Sequence, residues 1–400
     1  MKQIAMAFTT LLDMERYKLD MRNESLSEDY DKYITYRIGN ALHYYFLPCV
    51  LCLGIFGNLL SFCVMMQAHN RHIPCSVYFA ALSVSDNIVM VTTIFHWFYQ
   101  ITGKVSPSTC RMYGYFTNVG SSCSCYLIVL ITIERFGAIC RILQTPHKLS
   151  VKTTVLSVLA VFTVTIVINV PVYFNAMLME TAICASYSQD SILLNIWVWI
   201  STTLFFLIPF CLVSYLNIRI FLQVRNRWGN IPRRRSRPSN RTSSSSYTFP
   251  RSDSNESLNN NSPEVEGLQQ CIVMCTSYNK RQWQHQAERK LTKMMVAISM
   301  AFICLSLPQY VRYITYVFVD SSSSIERYTT YCLIFHITNK LFICNNSVNF
   351  FLYCLAGQKF RKDFVNMLRK FKKLILSCGD WIKQHISSCG SSKPLCGCRQ

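Results

Sequence analysis

Seven stretches of the chain run for twenty residues or more with few or no charges: 38 to 66, 74 to 99, 112 to 133, 153 to 175, 192 to 218, 294 to 318 and 328 to 355. At about 1.5 Å per residue, a helix of that length crosses the ~30 Å hydrocarbon core of a bilayer, and in lipid a backbone must satisfy its own hydrogen bonds. Composition agrees, since 51% of the 400 residues are hydrophobic and 15% charged, too few charges to coat a soluble domain of this size. The reading is an all-α membrane protein, a seven-helix transmembrane bundle over 41–356, with lipid as its first partner. Gly57, Asn58, Ser83, Ser85, Gly120, Pro171, Pro209, Pro308 and Asn349 lie inside the runs. Small and polar residues there indicate helices that pack on one another.

Orientation follows from charge. With the amino terminus outside, most of the 40 Lys and Arg fall in the three inner loops and the tail, so the net charge of +20 reads as the positive-inside pattern and contact with anionic inner-leaflet lipid. The basic residues are dispersed between spans instead of forming one face, which argues against nucleic acid as a partner. Residues 1–40 carry charges of both signs and no clean apolar core, so no cleavable signal peptide is expected and the first span serves as its own insertion signal. The expectation is a multi-pass plasma-membrane protein with an extracellular amino-terminal segment, 1–40, and a cytoplasmic carboxyl terminus. Asn23-Glu24-Ser25 is then an accessible glycosylation acceptor at Asn23, whereas the matching triplets at Asn240, Asn255 and Asn345 are not accessible.

Most of the 20 cysteines lie within spans or inner segments, where they act as small apolar residues. Cys110 and Cys184 fall at the outer face. A disulfide between them would tie the outer end of the third span to the loop between the fourth and fifth, holding that loop as a lid.

The third span carries the most chemistry. From Cys110 to Arg135 it covers about 37 Å of helix, and Thr117, Ser121, Ser124, Ile128, Ile131 and Arg135 share one face. This polar stripe suits a signal-carrying helix, and equally small residues that allow close packing with an arginine at the interface. In the second span Asp86 stands mid-membrane, where an ionised carboxylate costs several kcal/mol unless paired, hydrated or ion-bound. Its expected neighbours Asn58, Ser124, Asn345 and Asn349 are oxygen donors suited to a small hard cation such as sodium. A hydrogen-bonded structural aspartate is the plainer alternative. No other cofactor is expected.

Inner segments differ in kind. The third inner loop, about 226–287, turns to Arg233-Arg234-Arg235-Ser236-Arg237 and serine- and asparagine-rich runs, which read as a disordered insert. Its serines beside arginines suit kinases, and a solvated basic linker fits as well. Cys271 to Cys275 form an apolar patch with no assigned role. Beyond the seventh span, Phe360, Phe364, Met367, Leu368 and Phe371 recur at helical steps among basic residues, which reads as a short amphipathic helix over 357–375 on the inner membrane surface. In the tail, 376–400, Cys378, Cys389, Cys396 and Cys398 are acylation candidates; their spacing matches no strong zinc pattern.

Taken jointly, Gly57-Asn58, Leu82 to Asp86, Cys110, Glu134-Arg135-Phe136, Pro171, Pro209, Pro308 and Asn349 to Tyr353 resemble a rhodopsin-like G-protein-coupled receptor over about 40–375. The run from Asn349 to Arg361 is similar to invertebrate neuropeptide receptors of the FMRFamide-receptor type. The resemblance implies a receptor, not an enzyme, that binds an extracellular ligand and activates a heterotrimeric G protein, with kinases and arrestin as further partners. It implies coupling and latch roles for Glu134, Arg135, Phe136, Glu288, Asn349 and Tyr353. Glu288 lies about 30 Å along a helix from Pro308, at the level of Arg135, where the family's resting-state latch joins helices three and six.

The chain departs from the family pattern in several places. Asp-Arg-Tyr is Glu134-Arg135-Phe136, the proline after Asn349 is Phe350, Val161 stands near the missing helix-four tryptophan, Ser306 replaces the aromatic two residues before Pro308, and Asn217 stands where helix five offers a tyrosine. These departures imply that coupling between pocket and G protein uses different side chains. Ligand class is narrowed by two positions: amine receptors carry an aspartate where this chain has Thr117, and opsins a Schiff-base lysine where it has Ile343. The mouth is instead aromatic and amide-rich, with Trp97, Tyr99, Gln100, Tyr113, Phe116, Gln309, Tyr310, Arg312, Tyr313, His336 and Asn339, a lining suited to a peptide, with Arg312 as counter-charge for an acidic group. Singly, each of these residues also fits bundle packing. A chemosensory or orphan receptor of the same fold is the alternative; a seven-span transporter would need an internal repeat that the chain lacks.

Overall fold

A computed structural model describes residues 32–104, 106–140, 150–178, 184–186, 199–229, 292–312 and 325–389. The first six uncharged runs form α1 (Ile34–Met65), α2 (Pro74–Thr102), α3 (Pro107–Cys140), α4 (Val151–Phe174), α5 (Trp199–Gln223) and α6 (Thr292–Arg312). Between α4 and α5 stands a short antiparallel pair, β1 (Ala176–Leu178) and β2 (Cys184–Ser186), with Met177 opposite Ala185. The seventh run forms α7 (Ile325–Ser347) and α8 (Asn349–Ala356), followed by α9 (Gln358–Cys389).

Helices α1 to α6 are each long and apolar enough to cross a bilayer. The seventh span, α7 with α8, is less apolar because Lys340, Asn345, Asn346 and Asn349 lie on it; all four are buried, so their polar groups face other helices. Two boundaries differ from those expected. α1 begins at Ile34, inside the stretch taken as the amino-terminal segment, because its first turns pack along α7, where Gly39 meets the His336 ring. α9 continues past residue 375 to Cys389, with apolar residues at helical spacing running on through Cys378 and Ile382.

Local chemistry sets several helix ends. Pro74 and Pro107 occupy the first turns of α2 and α3, where a missing N–H costs nothing. α2 stops at Gly103, whose φ of 65° is left-handed; Gly103 and Lys104 N–H groups turn back to the Gln100 and Tyr99 carbonyls at 3.3 and 3.0 Å. Ser150 caps α4 by accepting from the Lys152 N–H at 3.3 Å.

α3 runs through the centre, against α2, α4, α5 and both strands. Its most apolar window is 61% buried, that of α4 only 11%, so α4 stands at the periphery with Leu156, Leu159 and Val167 facing outward as lipid requires. The main core joins Phe79 and Leu82 of α2, Leu127, Ile128 and Ile131 of α3, Val213 of α5, Met295, Ile298 and Phe302 of α6, and Tyr353 of α8. A smaller cluster joins Leu47 and Leu51 of α1, Met90 of α2 and Ile343 of α7.

Close approach of α2 and α3 depends on Gly120: a β-carbon there would lie 2.8 Å from Val89 Cγ2 and 2.9 Å from the Ser85 carbonyl oxygen. Backbone cannot yield as a side chain can. Gly120→Val should therefore destabilise the bundle by about 1–3 kcal/mol, the usual cost of overpacking, read as a lower melting temperature of the purified chain and less protein at the cell surface.

Candidate functional site

Asp86 is fully buried at mid-bundle. Ser124 Oγ of α3 donates to its Oδ1 at 2.7 Å, and Asn349 Nδ2 of α8 donates to its Oδ2 at 2.7 Å. One carboxylate thus joins three helices. Asn58 and Asn345, the other two expected neighbours, are buried but are not donors to Asp86. Asn58 Nδ2 instead donates to the Asn346 carbonyl at 2.9 Å.

That bond explains a feature of the seventh span. In an unbroken helix the Asn346 carbonyl would accept from the N–H of residue 350. Here Asn58 takes that carbonyl, and α7 ends at Ser347 with α8 starting at Asn349, even though Phe350 stands where a proline was expected. The Phe350 ring meets Phe360 and Phe364 of α9 at centroid distances of 6.0 and 5.6 Å. Arg361 closes the joint from α9, donating from Nη1 to the Cys354 and Leu355 carbonyls at 2.6 and 2.8 Å.

At the far end of α3, Arg135 is buried, with Nη2 3.6 Å from Glu134 Oε1. Its guanidinium also donates to Cys75 Sγ at the start of α2, and the Cys75 thiol donates to Glu134 Oε1 at 3.0 Å. Phe136 is half-buried beside this cluster. One turn earlier Thr132 Oγ1 and Ser299 Oγ of α6 share a hydrogen bond at 3.3 Å. Tyr353 is enclosed by Phe79 and Phe360, ring centroids 5.0 and 5.4 Å away. Asp363 of α9 gathers the turn after α1: it accepts from Asn70 Nδ2 at 2.9 Å, faces His69 Nε2 at 3.1 Å, and its backbone carbonyl accepts from Gln67 Nε2 at 3.3 Å.

The opposite end, marked by Cys110, is ringed by the expected mouth residues. Cys110 is buried and disulfide-bonded. β2, which begins at Cys184, lies against α3, but the Cys184 side chain is outside the described residues. Tyr113 stacks on His96 at 3.9 Å, Tyr310 stacks on Phe206 at 3.6 Å, and Trp97 Nε1 donates to the His43 carbonyl at 3.1 Å. Arg312 Nη1 donates to Tyr331 Oη at 2.9 Å, and the guanidinium carbon lies 4.8 Å from the Phe335 ring centroid. Thr117 and Thr92 share a hydrogen bond at 3.1 Å. Gln100, Gln309 and Asn339 are half-buried at the same end.

Asn23, Glu288, Tyr313, Cys396 and Cys398, and the side chain of Cys389, lie outside the described residues; Cys378 is exposed. The reading of the sequence passed over Cys75, Asp363 and Lys340. Nothing in the chain marks Cys75, but Lys340 was visible as the lone charge in 328–355. Among the described residues no cluster of three His, Cys, Asp or Glu side chains could hold a metal ion.

The family model of the 7-transmembrane receptors, rhodopsin family, matches residues 57–353. The chain belongs to the rhodopsin family of seven-transmembrane receptors. It is a multi-pass membrane protein of that family, and α7 with α8 is its seventh span. The bovine CX3C chemokine receptor 1 is 26% identical over 176 residues, 43% of this chain and 49% of that receptor. Rhodopsin of Procambarus milleri is 25% identical over 183 residues, 44% of this chain and 60% of that protein. An FMRFamide peptide receptor of Caenorhabditis elegans is 31% identical over 113 residues, 25% of this chain and 26% of that receptor. The chain thus spans between a quarter and three fifths of these relatives.

Asn58→Ala removes the donor to a buried carbonyl, and an unmet carbonyl costs about 1–3 kcal/mol. The melting temperature of the purified chain should fall accordingly; an unchanged value would show that the Phe350 N–H takes over and the seventh span becomes continuous.

Proposed function

We propose that this rhodopsin-family member is a plasma-membrane receptor, amino terminus outside, that binds an extracellular peptide and activates a heterotrimeric G protein by opening the inner ends of α3 and α6. The observation that carries the reading is the Arg135 cluster. A buried guanidinium held by a neighbouring carboxylate and a thiol, one turn from the Thr132–Ser299 hydrogen bond to α6, is a polar junction at the inner edge of the apolar core, whose partners can be exchanged. A ligand that prefers the open arrangement shifts its population. Glu288, four residues before α6 in the sequence, supplies the latch in this reading. A partly exposed ion pair is worth about 0.2–1 kcal/mol, so it biases the equilibrium at most about fivefold.

A peptide ligand is supported by the aromatic and amide-bearing mouth and by relatives named for chemokine and FMRFamide peptides. Ile343 in place of the Schiff-base lysine and Thr117 in place of an aspartate speak against retinal and amines. The same reading places the Cys110–Cys184 disulfide and the Asn23 glycan outside, and kinase and arrestin sites in 226–287 and the tail. In α9, Phe371, Leu374, Ile375, Cys378 and Ile382 form an exposed apolar stripe flanked by basic residues. That stripe fits the inner leaflet, with Cys378 as an acylation site. Asp86 and Ser124 would offer oxygens to an allosteric sodium ion.

A neuropeptide library applied to cells expressing the chain, with calcium and cyclic AMP as readouts, tests the ligand class; a response to small odorants alone would favour a chemosensory receptor. Arg135→Ala should abolish the response while leaving surface protein unchanged. Glu288→Ala should raise basal signalling, and equal basal activity at equal surface expression would remove the latch.

A further inference from the structure

Lys340 is the one Lys, Arg, Asp or Glu in the run 328–355, and it is only 4% exposed. One turn before it, His336 meets Gly39 of α1; one turn after it, Ile343 packs with Leu47 and Leu51 of α1 and Met90 of α2. Residues at such steps share a helical face, so Lys340 lies on the side of α7 turned to α1 and α2. Its ammonium group has no hydrogen bond or ion pair with any described residue.

Nor is a carboxylate of the described residues within reach. Asp86 is engaged by Ser124 and Asn349, and Asn349 is nine residues, about 13 Å, further along the axis, while helical side chains lean back toward the amino-terminal, outer end. Glu326, the one other described acid on this side of Asp86, is exposed some fourteen residues, about 21 Å, the other way. By contrast Arg111 and Arg312 are half-buried at the same end of the bundle. The walls beside Lys340 are apolar, with Trp97 packed on the Leu47–Met90 cluster, so an ion pair formed there would be little screened.

An ammonium enclosed in a helical bundle without a counter-charge is unfavourable and is retained where something else supplies the charge. We propose that Lys340 is the anchor for an anionic group on the ligand, a carboxylate, in a subsite between α1, α2 and α7. The inference rests on the receptor reading and narrows it: the ligand is acidic at one end, and an uncharged or amidated end does not fill the subsite.

The test is a panel of synthetic peptides in pairs that differ by one charge, free carboxyl terminus against amide and Glu against Gln, together with small carboxylic acids, applied to cells expressing the full chain. At the wild type, the charged member of at least one pair should be tenfold or more the more potent. Lys340→Gln should erase that difference by weakening the charged member alone, and Lys340→Arg should keep most of it. Equal potency within every pair, or a preference that survives in Lys340→Gln, overturns the anchor while leaving a peptide receptor standing. Responses to small carboxylic acids alone, lost in Lys340→Gln, support the anchor and overturn the peptide reading. Silence of every carboxylate at the wild type overturns the anchor. Should Lys340→Gln not reach the surface, the pair preference at the wild type and its retention in Lys340→Arg decide.

Discussion

The carboxylate of Asp86 is sealed from solvent, so every hydrogen bond it needs must come from the chain. Each unmet one would cost about 1–3 kcal/mol. Ser124 meets one oxygen and Asn349 the other, and since they come from α3 and α8, satisfying the acid fixes three helices against each other. The apolar core could settle in many near-equivalent packings of similar volume. Directional bonds to one buried group remove most of them.

The same logic runs outward along the seventh span. Asn349 can reach Asp86 only if the helix turns there, and Asn58 holds the turn by taking the Asn346 carbonyl. α8 then leaves at an angle that lets Phe350 and Tyr353 meet Phe360, and Asp363 carries the connection on to the turn after α1 through Asn70. A proline was expected to break this helix by removing an N–H. In this chain an asparagine side chain on another helix does the work by occupying the acceptor.

How much of this was legible in the sequence depends on how local the cause is. Span count and the need of Asp86 and Arg135 for polar partners follow from residue type and helical spacing, because an acid or arginine in an apolar run has few ways to be satisfied; which of its four expected neighbours meet Asp86 does not. Contacts set by the angle between helices were not legible. Cys75 beneath Arg135 looks like any small apolar cysteine, and Asn58 was expected at Asp86, yet it reaches the Asn346 carbonyl instead. The helical start of α1 was missed for a related reason: Ile34 to Ala41 are helical where they lie along α7, and spacing alone does not show the neighbour. Lys340 was legible and passed over, since one charge in a long run reads as noise until its burial is known.

The contacts of α6 show how the bundle is packed without the aromatic residue expected at 306. Ser306 is fully buried and small, and its hydroxyl has no partner among the described residues. One turn toward the outer end, Tyr310 stacks on Phe206 of α5 at 3.6 Å; one turn inward, Phe302 sits in the core against α3. The bulk that one aromatic would supply is thus divided between two levels of α6, on either side of Ser306. Below it, α6 meets α3 through Met295 and Ile298 in the apolar core and through the hydrogen bond of Thr132 with Ser299. α6 is thus held at two levels, stacked on α5 at Tyr310 and seated in the core at Phe302, and the small Ser306 between them is where it carries least side-chain bulk.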